Sequence, residues 1–186
     1  LVVGPNTLTA TATDAVGNAR STSVTVTYQP LPPPRPTVGT VGAPLPAVTT
    51  VSSIAVGGTK VAGASIWLNG TQVVAADNNT TWTATISLIE GDNDLAFIAK
   101  DSTGASSADA TINIISETLP PVVTFTPPTK TNFNPVPLTG SVDDSGTVVT
   151  INGITAARNR RTFDVAVPLT LGSNTLQLIA TAPTGT

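Results

Sequence analysis

One phrase that occurs three times constrains this chain more than any other feature of its sequence. It reads GPNTLTATATDAVGN from Gly4, GDNDLAFIAKDSTGA from Gly91 and GSNTLQLIATAPTGT from Gly172. In each copy an asparagine follows the glycine by two residues, and a leucine follows it by four. The copies are spaced by roughly 80 to 90 residues, which is typical of whole domains in tandem and longer than the units of solenoid proteins.

The phrase predicts a strand, a tight Gly-x-Asn turn and a second strand. Glycine takes the positive φ angle that such a turn requires, and an asparagine side chain hydrogen-bonds the loop backbone. After the turn, apolar residues recur at every second position, which is the pattern of a strand with one buried face. The predicted turn-forming residues are Gly4, Asn6, Gly91, Asn93, Gly172 and Asn174.

The composition favours an all-β protein. Hydrophobic residues make up 40% of the 186 residues, enough for cored domains, whereas only 10% are charged. Threonine and valine favour strands, and the 16 prolines and 15 glycines supply turns and linkers. Each full copy is predicted to hold about seven short strands with a turn every eight to twelve residues, as in a β-sandwich. No helix is predicted.

The second and third copies also agree upstream of the phrase. SIWLNG at 65–70 matches VVTING at 148–153, and both segments end in Asn-Gly, a strong hairpin signal. In each copy an aromatic residue then leads a strand of alternating apolar residues, which predicts a core-facing side. The predicted core anchors are Trp82, Leu88, Phe163 and Leu169.

Four motifs resemble the bacterial immunoglobulin-like domains: the strand ending in Asn-Gly, the aromatic-led strand, the L-x-x-G-x-N-x-L phrase and the A-x-D-x-x-G-N turn. Such domains occur as tandem modules of large surface proteins and as accessory domains of some extracellular glycosidases. The resemblance covers the whole chain except its linkers. It implies an all-β fold of tandem immunoglobulin-like β-sandwiches joined by proline-rich linkers. In the third copy Pro183 replaces the turn aspartate, so no functional aspartate is expected there.

Two proline-rich stretches, at 28–39 and 116–125, divide the chain. Residues 1–30 are predicted to hold the C-terminal strands of a partial repeat, 36–118 a complete repeat, and 121–186 a repeat that lacks its last strand. Because polyproline segments are semi-rigid spacers, the modules are expected to lie end to end. We expect these residues to be a window from a longer run of repeats. The missing strands would come from the continuing chain or from a neighbouring subunit.

Charge and residue content argue against several classes of function. The net charge of −3 lacks the basic footprint of a nucleic-acid binder. The cluster of Arg158, Arg160 and Arg161 is expected in a solvated hairpin tip. No apolar run is long enough to span a bilayer, so no membrane insertion is expected in this segment. Without cysteine or histidine the chain has no disulfides and no usual zinc ligands, which suits a protein outside the cell.

Glu90, Asp92 and Asp94 form the best candidate for a calcium site, since calcium takes oxygen ligands. The other two copies carry no acids at the equivalent positions, so surface turn acids are the favoured interpretation and no cofactor is expected. The pair Asp143–Asp144 is likewise predicted to lie in a turn. Carboxylates that hydrolyse glycosides need a cleft and a raised pKa, and no motif predicts a catalytic residue.

Trp67 is the candidate ligand-binding residue. Alignment of Asn69 with Asn152 matches Leu68 to Ile151, and this apolar pair is expected to face one side of the sheet. Trp67 is therefore expected to be accessible on the other side. There it would stack on a sugar or contact a neighbouring module, and the alternative is packing beneath a loop or linker.

The sequence favours a structural, non-catalytic stalk or fibre segment of a long extracellular repeat protein, such as an adhesin, a surface filament or a surface layer. The expected partners are neighbouring repeats of the same chain or identical subunits, with surface glycans as a further candidate. The alternative is a carbohydrate-binding or accessory module of an extracellular glycosidase. An aromatic content of 4% leaves that alternative few stacking platforms.

Replacement of Trp82 by alanine is expected to lower the free energy of unfolding of the complete repeat by about 3–5 kcal/mol, because the lost ring leaves a cavity in the core. Chemical denaturation followed by circular dichroism measures the change. An unaltered transition would show that Trp82 is not the equivalent of Phe163.

Overall fold

The computed structural model describes residues 1–39 and 44–185, and these residues form an all-β fold in which no helix occurs. The strands fall into three units: an N-terminal hairpin (β1 and β2), a middle module (β3 to β9) and a C-terminal module (β10 to β16). Their bounds are β1 Gly4–Thr13, β2 Ala19–Tyr28, β3 Val48–Thr49, β4 Ser53–Thr59, β5 Ser65–Leu68, β6 Thr71–Val74, β7 Thr81–Ser87, β8 Gly91–Lys100, β9 Ala110–Ser116, β10 Val123–Phe125, β11 Val136–Val142, β12 Val148–Ile151, β13 Ile154–Thr155, β14 Ala157–Asn159, β15 Thr162–Val167 and β16 Leu178–Thr181.

The N-terminal hairpin is a two-stranded antiparallel ladder that runs from the pair Gly4–Tyr28 to the pair Thr13–Ala19. All residues of both strands are exposed apart from Gly4 and Asn6, which are half-buried. Its apolar side chains alternate onto one face, and no other strand of the described residues pairs with it. The hairpin therefore presents its apolar face to solvent.

The middle module is a complete sandwich. A five-stranded sheet in the order β3-β9-β8-β5-β6 faces a two-stranded sheet of β4 and β7. The strand β3 runs parallel to β9, and the other neighbouring strands run antiparallel. This arrangement is that of immunoglobulin-like domains. Val56, Ile66, Trp82, Phe97 and Ile114 from the two sheets meet in one core.

The C-terminal module also consists of two sheets. Its sheets have the orders β10-β11-β15-β14 and β13-β12-β16. The pairing of β16 with β12 repeats that of β8 with β5, since Leu178 lies opposite Ile151 as Phe97 lies opposite Leu68. In the described residues no strand takes the place that β9 holds beside β8.

An aromatic residue opposite a glycine marks both cores. Trp82 is paired with Gly58 and Phe163 with Gly140, and only 3% and 2% of the two aromatic residues are exposed. A Cβ atom at Gly58 would lie 1.9 Å from the Thr37 carbonyl oxygen, and one at Gly140 would lie 2.3 Å from the Phe163 ring. The absence of a side chain at Gly58 therefore makes room for the Thr37 backbone, and its absence at Gly140 makes room for the Phe163 ring. Among the other predicted anchors, Leu88 is buried and Leu169 is half-buried against the second core.

The end of the first proline-rich linker is docked on the middle module. The amide of Thr37 donates to the carbonyl of Thr59 at 3.0 Å, and Gly39 exchanges two backbone hydrogen bonds with Gly57. The Trp82 indole N–H also donates to the Thr37 carbonyl at 3.2 Å. These bonds fix residues 37–39 to the middle module. The undocked part of the proline-rich stretch at 28–39 is therefore shorter than the whole stretch.

The repeated asparagine makes the same three hydrogen bonds in every copy. Its Oδ1 accepts from the amide four residues before it, and its Nδ2 donates to the carbonyl of that residue and to that of the glycine. In the middle module these bonds join Asn93 to Ile89 and Gly91 at 2.8–2.9 Å. Asn6 and Asn174 repeat them. The three glycines have φ angles of 99°, 82° and 104°, so each needs the freedom of glycine.

Asn93→Ala is expected to destabilise the middle module by about 1–3 kcal/mol, because Asn93 is buried and its loss leaves backbone groups unpaired. Both tryptophans of the chain lie in this module, so tryptophan fluorescence during urea unfolding reports on it alone. The matched variant Asn174→Ala removes the same bonds from the C-terminal module and should leave this fluorescence transition in place. Equal effects of the two variants on it would contradict the assignment.

Candidate functional site

The middle and C-terminal modules meet where β8 begins and where the loop after β11 turns. Asp92 lies at the centre of this joint and is only 6% exposed. Its carboxylate accepts a hydrogen bond from the Arg161 Nε atom at 2.9 Å and another from the Ser145 hydroxyl at 2.5 Å. Both donors belong to the C-terminal module, so Asp92 ties the two sandwiches together.

The backbones of the two modules also approach closely at the joint. A Cβ atom at Gly91 would lie 2.6 Å from the carbonyl oxygen of Asp143, which belongs to the other module. The glycine of the repeated phrase therefore has a second role in the middle module, because it admits the neighbouring loop. At Gly4 and Gly172 an added Cβ would meet no atom within 4 Å.

The arginine cluster is partly solvated, as expected of a hairpin tip, since Arg160 and Arg161 are exposed, but Arg158 is half-buried. The three residues do lie on the β14–β15 hairpin, but its tip is turned toward the middle module. Arg158 donates to the Asp144 carbonyl at 2.8 Å, and its Nε and Nη1 atoms are buried. Arg160 reaches Asp94 at 3.2 Å in an exposed ion pair, which contributes little to stability. The packing of two modules, which no local pattern encodes, accounts for the difference.

The three acids of the candidate calcium site are each held by protein groups. Glu90 accepts hydrogen bonds from the amides of Thr118 and Leu119 at 3.0–3.1 Å and so fixes the start of the second linker. Asp94 accepts a hydrogen bond from the Asn113 side-chain Nδ2 atom at 2.8 Å in addition to its ion pair with Arg160. Within residues 1–39 and 44–185, no three acids are placed to hold a metal ion together.

Two further acids, which sequence reasoning did not select for a site, are buried at the joint. Asp144 is 1% exposed, and its carboxylate caps its own loop by accepting from the amides of Gly146 and Thr147 and from the Thr147 hydroxyl. Glu117 is 7% exposed, and its Oε1 atom has no hydrogen-bond partner in the described part of the chain. The position of Glu117 directly after an apolar strand was the only signal of its burial.

The pKa values of Asp92 and Glu117 are shifted in opposite directions. Burial raises the pKa of Glu117 to about 7, and the negative charges of Asp144, Glu90, Asp143 and Asp92 add to this shift. Burial also opposes ionisation of Asp92, but the hydrogen bonds from Ser145 and Arg161 outweigh it and lower the pKa of this carboxyl. Hydrogen bonds therefore favour the ionised form of Asp92, whereas burial favours the protonated form of Glu117.

Trp67 lies on β5 and is half-buried, whereas its neighbour Leu68 packs against the core. Its indole N–H donates to the Ser65 hydroxyl at 3.0 Å. The Lys100 ammonium lies 3.9 Å from the centroid of the ring, in the geometry of a cation–π contact. One face of the ring is therefore occupied by the protein itself.

No protein-family model matches the sequence, and no curated protein matches it. The fibronectin(III)-like modules of Clostridium thermocellum CbhA are similar with a TM-score of 0.34 and 19% identity, over 63% of this chain and 64% of theirs. The central fibronectin-III array of RIM-binding protein gives 0.31 and 15%, over 80% of this chain and 62% of the array.

A third solved structure is SGBP-B from the Bacteroides ovatus mixed-linkage glucan utilization locus, in complex with a mixed-linkage heptasaccharide. It gives a TM-score of 0.27 and 16% identity, over 100% of this chain and 49% of that one. This chain therefore spans less than two thirds of each of the three. Likenesses of this size decide nothing about function. In the described residues no helix is long and apolar enough to cross a membrane.

Glu117→Gln is expected to stabilise the protein at pH 8 and to have little effect at pH 4. Below the ordinary glutamate value of 4.5 both the folded and the unfolded state hold the proton. As the pH rises from 4.5 to about 7 only the folded state keeps it, so stability falls, by about 3 kcal/mol at most. Thermal unfolding of wild type and variant at both pH values measures the difference.

The exposed acid Asp109 supplies the matched control, since Asp109→Asn makes the same chemical change outside the joint. Asp92 is present in the wild type and in both variants, so the comparison of Glu117→Gln with Asp109→Asn reports on position 117 and its interactions with the neighbouring acids. A Glu117→Gln protein that loses stability at pH 8 would show that the ionised carboxylate is a stabilising group.

Proposed function

We propose that this chain is a structural, non-catalytic segment of a long extracellular repeat protein, in which immunoglobulin-like modules hold a fixed spacing along a stalk or fibre. The observation that carries the proposal is the bond set of Asp92, which joins β8 of one module to Arg161 and Ser145 of the next. A buried carboxylate that accepts hydrogen bonds from two residues of the next module restricts the angle between the modules, whereas a flexible linker alone would not.

The first linker supports the same role. Pro33 and Pro36 are buried, and residues 37–39 are hydrogen-bonded to β4. Polyproline segments are semi-rigid even when free, and docking removes further freedom. Restraint on both sides of the middle module favours a spacer over a hinge.

A carbohydrate-binding role has weaker support. Sugar stacking requires an open aromatic face, and Trp67 is half-buried with one face covered by the Lys100 ammonium. Catalysis has no support either, because the charged groups that the structure brings together at the joint hold the modules in place. We therefore assign the chain to the non-catalytic class.

We place this protein at the cell surface, as part of an adhesin, a surface filament or a surface layer, with neighbouring repeats of the chain or identical subunits as its partners. The absence of cysteine and methionine from the sequence removes the side chains that oxidise most readily.

The proposal predicts a narrow distribution of distances between the middle and C-terminal modules. The chain holds no cysteine, so spin labels at cysteines introduced for Thr85 and Ala166, which are exposed on β7 and β15, are the only labels present. Double electron–electron resonance between them is expected to give one sharp peak. Asp92→Ala should broaden it, because Arg161 and Ser145 lose their shared acceptor.

Asp94→Ala is the matched control, since it removes an acid from the same strand whose only bond to the other module is an exposed pair with Arg160, worth about 0–1 kcal/mol. Its other bond, from Asn113, lies within the middle module. The peak should stay sharp in this variant. A broad distribution in the wild-type protein would overturn the spacer role.

A further inference from the structure

The strand β7, inside the complete middle module, has one open edge. It pairs with β4 on one side, and no strand of the described residues lies on its other side. The Lys60 amide continues the ladder by donating to the Thr80 carbonyl at 2.9 Å, so the even-numbered residues of β7 bond to β4. In an antiparallel ladder the alternate residues then direct their amides and carbonyls to the open edge. These residues are Thr81, Thr83, Thr85 and Ser87.

In the C-terminal module a strand fills the equivalent position. There β15 corresponds to β7, since Phe163 lies opposite Gly140 as Trp82 lies opposite Gly58. The strand β14 pairs with β15 on the side away from β11. The sandwich therefore accepts a further strand at this edge.

The segment of the middle module that corresponds to β14 is held elsewhere. After β6 the chain passes through Asp77, whose carbonyl accepts from the Gly63 amide at 2.7 Å. The Lys60 side chain is fully buried, and its ammonium forms an ion pair with the Asp77 carboxylate at 2.6 Å. These bonds fix the segment beyond the end of β4, so it adds no strand to β7.

The open edge lacks the features that prevent strand pairing. Natural edges are protected by charged residues, proline or bulges. The strand β7 reads TWTATIS, without charge or proline, and its ladder with β4 keeps one register from Ser53–Ser87 to Thr59–Thr81. The β5–β6 ladder of the same module, in contrast, shifts register at Trp67. An uncharged, regular strand of this kind is a template for a further strand.

We propose that a second copy of this chain pairs with this edge, β7 to β7 and antiparallel, with Ala84 of both copies on the two-fold axis. In this register Thr81 lies opposite Ser87 of the partner subunit, and Thr83 lies opposite Thr85 of the partner subunit. The outward amides and carbonyls of the two strands therefore meet, and β4 and β7 of both copies form one continuous sheet. The proposal rests on the proposed function, because it names the identical subunit as the lateral partner of the stalk.

The edge is complementary to a copy of itself. The exposed side chains along β7 carry only hydroxyl groups, and threonine and serine pairs across strands hydrogen-bond to each other. No charge on β7 repels its own copy, and none selects a partner of opposite charge. Because both copies use the same surface, the contact is isologous and closes at the dimer.

Sedimentation velocity tests the pairing. Wild-type protein is expected to shift with concentration from the 18.7 kDa chain to twice that mass. The double variant Thr83→Lys, Thr85→Lys should stay monomeric, because like charges would lie directly opposite each other across the two strands. Both positions are exposed, so the variant should keep its fold. The matched control Thr162→Lys, Ala166→Lys adds the same charges to β15, whose edge β14 covers, and should still dimerise.

A disulfide test locates the two-fold axis. Residues opposite each other at a non-hydrogen-bonded position have Cα atoms about 4.5 Å apart, which a disulfide can span. Ala84→Cys is therefore expected to form disulfide-linked dimers in a glutathione redox buffer, and the natural sequence holds no competing cysteine. Thr81→Cys, on the same strand, should stay reduced, because the two cysteines would lie about 20 Å apart in this register. The reverse result would overturn the register.

A wild-type protein that stays monomeric at every concentration would overturn the proposal, as would dimers that persist in the Thr83→Lys, Thr85→Lys variant. Spin-labelled protein diluted into unlabelled protein reports the distance between the modules of one chain. A sharp distance in a monomer would therefore leave the spacer function standing. A broad distance in a dimer paired through β7 would overturn the spacer function alone.

Discussion

The turn that Asn93 closes is the constraint on which both the middle module and its joint depend. It fixes the start of β8, and from that point the side chains alternate between the two faces of the strand. Leu95 and Phe97 enter the core, whereas Asp92 and Asp94 face the C-terminal module. A displaced turn would move the core register and the ion pair with Arg161 together. The asparagine thus couples the stability of one sandwich to the orientation of the next.

Local periodicity predicted the sandwich but not the joint. The alignment of Asn69 with Asn152 and the alternation of strand residues follow from short-range patterns, and the pairing of Leu68 with Phe97 and of Ile151 with Leu178 has the register that the alignment requires. Asp92 and Arg161, in contrast, lie 69 residues apart in the sequence, and their contact depends on how two finished modules pack. No pattern within either module encodes that geometry. For the same reason, the acids at the joint were interpreted as surface turns.

The joint also shows why buried charge gives orientation more than stability. Asp92 has two donors, but Glu117 is buried among acids, with one oxygen unpaired. Removing ions from water has a high free-energy cost, which a pair offsets only when its geometry is good. Asp92 has hydrogen-bond donors from the neighbouring module, whereas Glu117 Oε1 has none in the described residues. Ionisation of Glu117 therefore has a free-energy cost, but the bonds of Asp92 between the modules do not depend on it. The relative position of the modules is therefore determined by the few bonds that only this geometry allows.

The three copies of the phrase separate what the local sequence decides from what pairing decides. Gly4 and Gly91 each begin a ten-residue strand, because β2 and β9 lie beside them. In the third copy the strand begins only at Leu178, where β12 supplies a partner. Yet Asn174 makes the same bonds as Asn6 and Asn93. The turn is therefore a local property of the phrase, whereas the strand that follows it requires a neighbour, as β-structure in general does. Residues 172–177 bond to Asn152 on one side, but no strand of the described residues lies on their other side, where β9 lies beside β8.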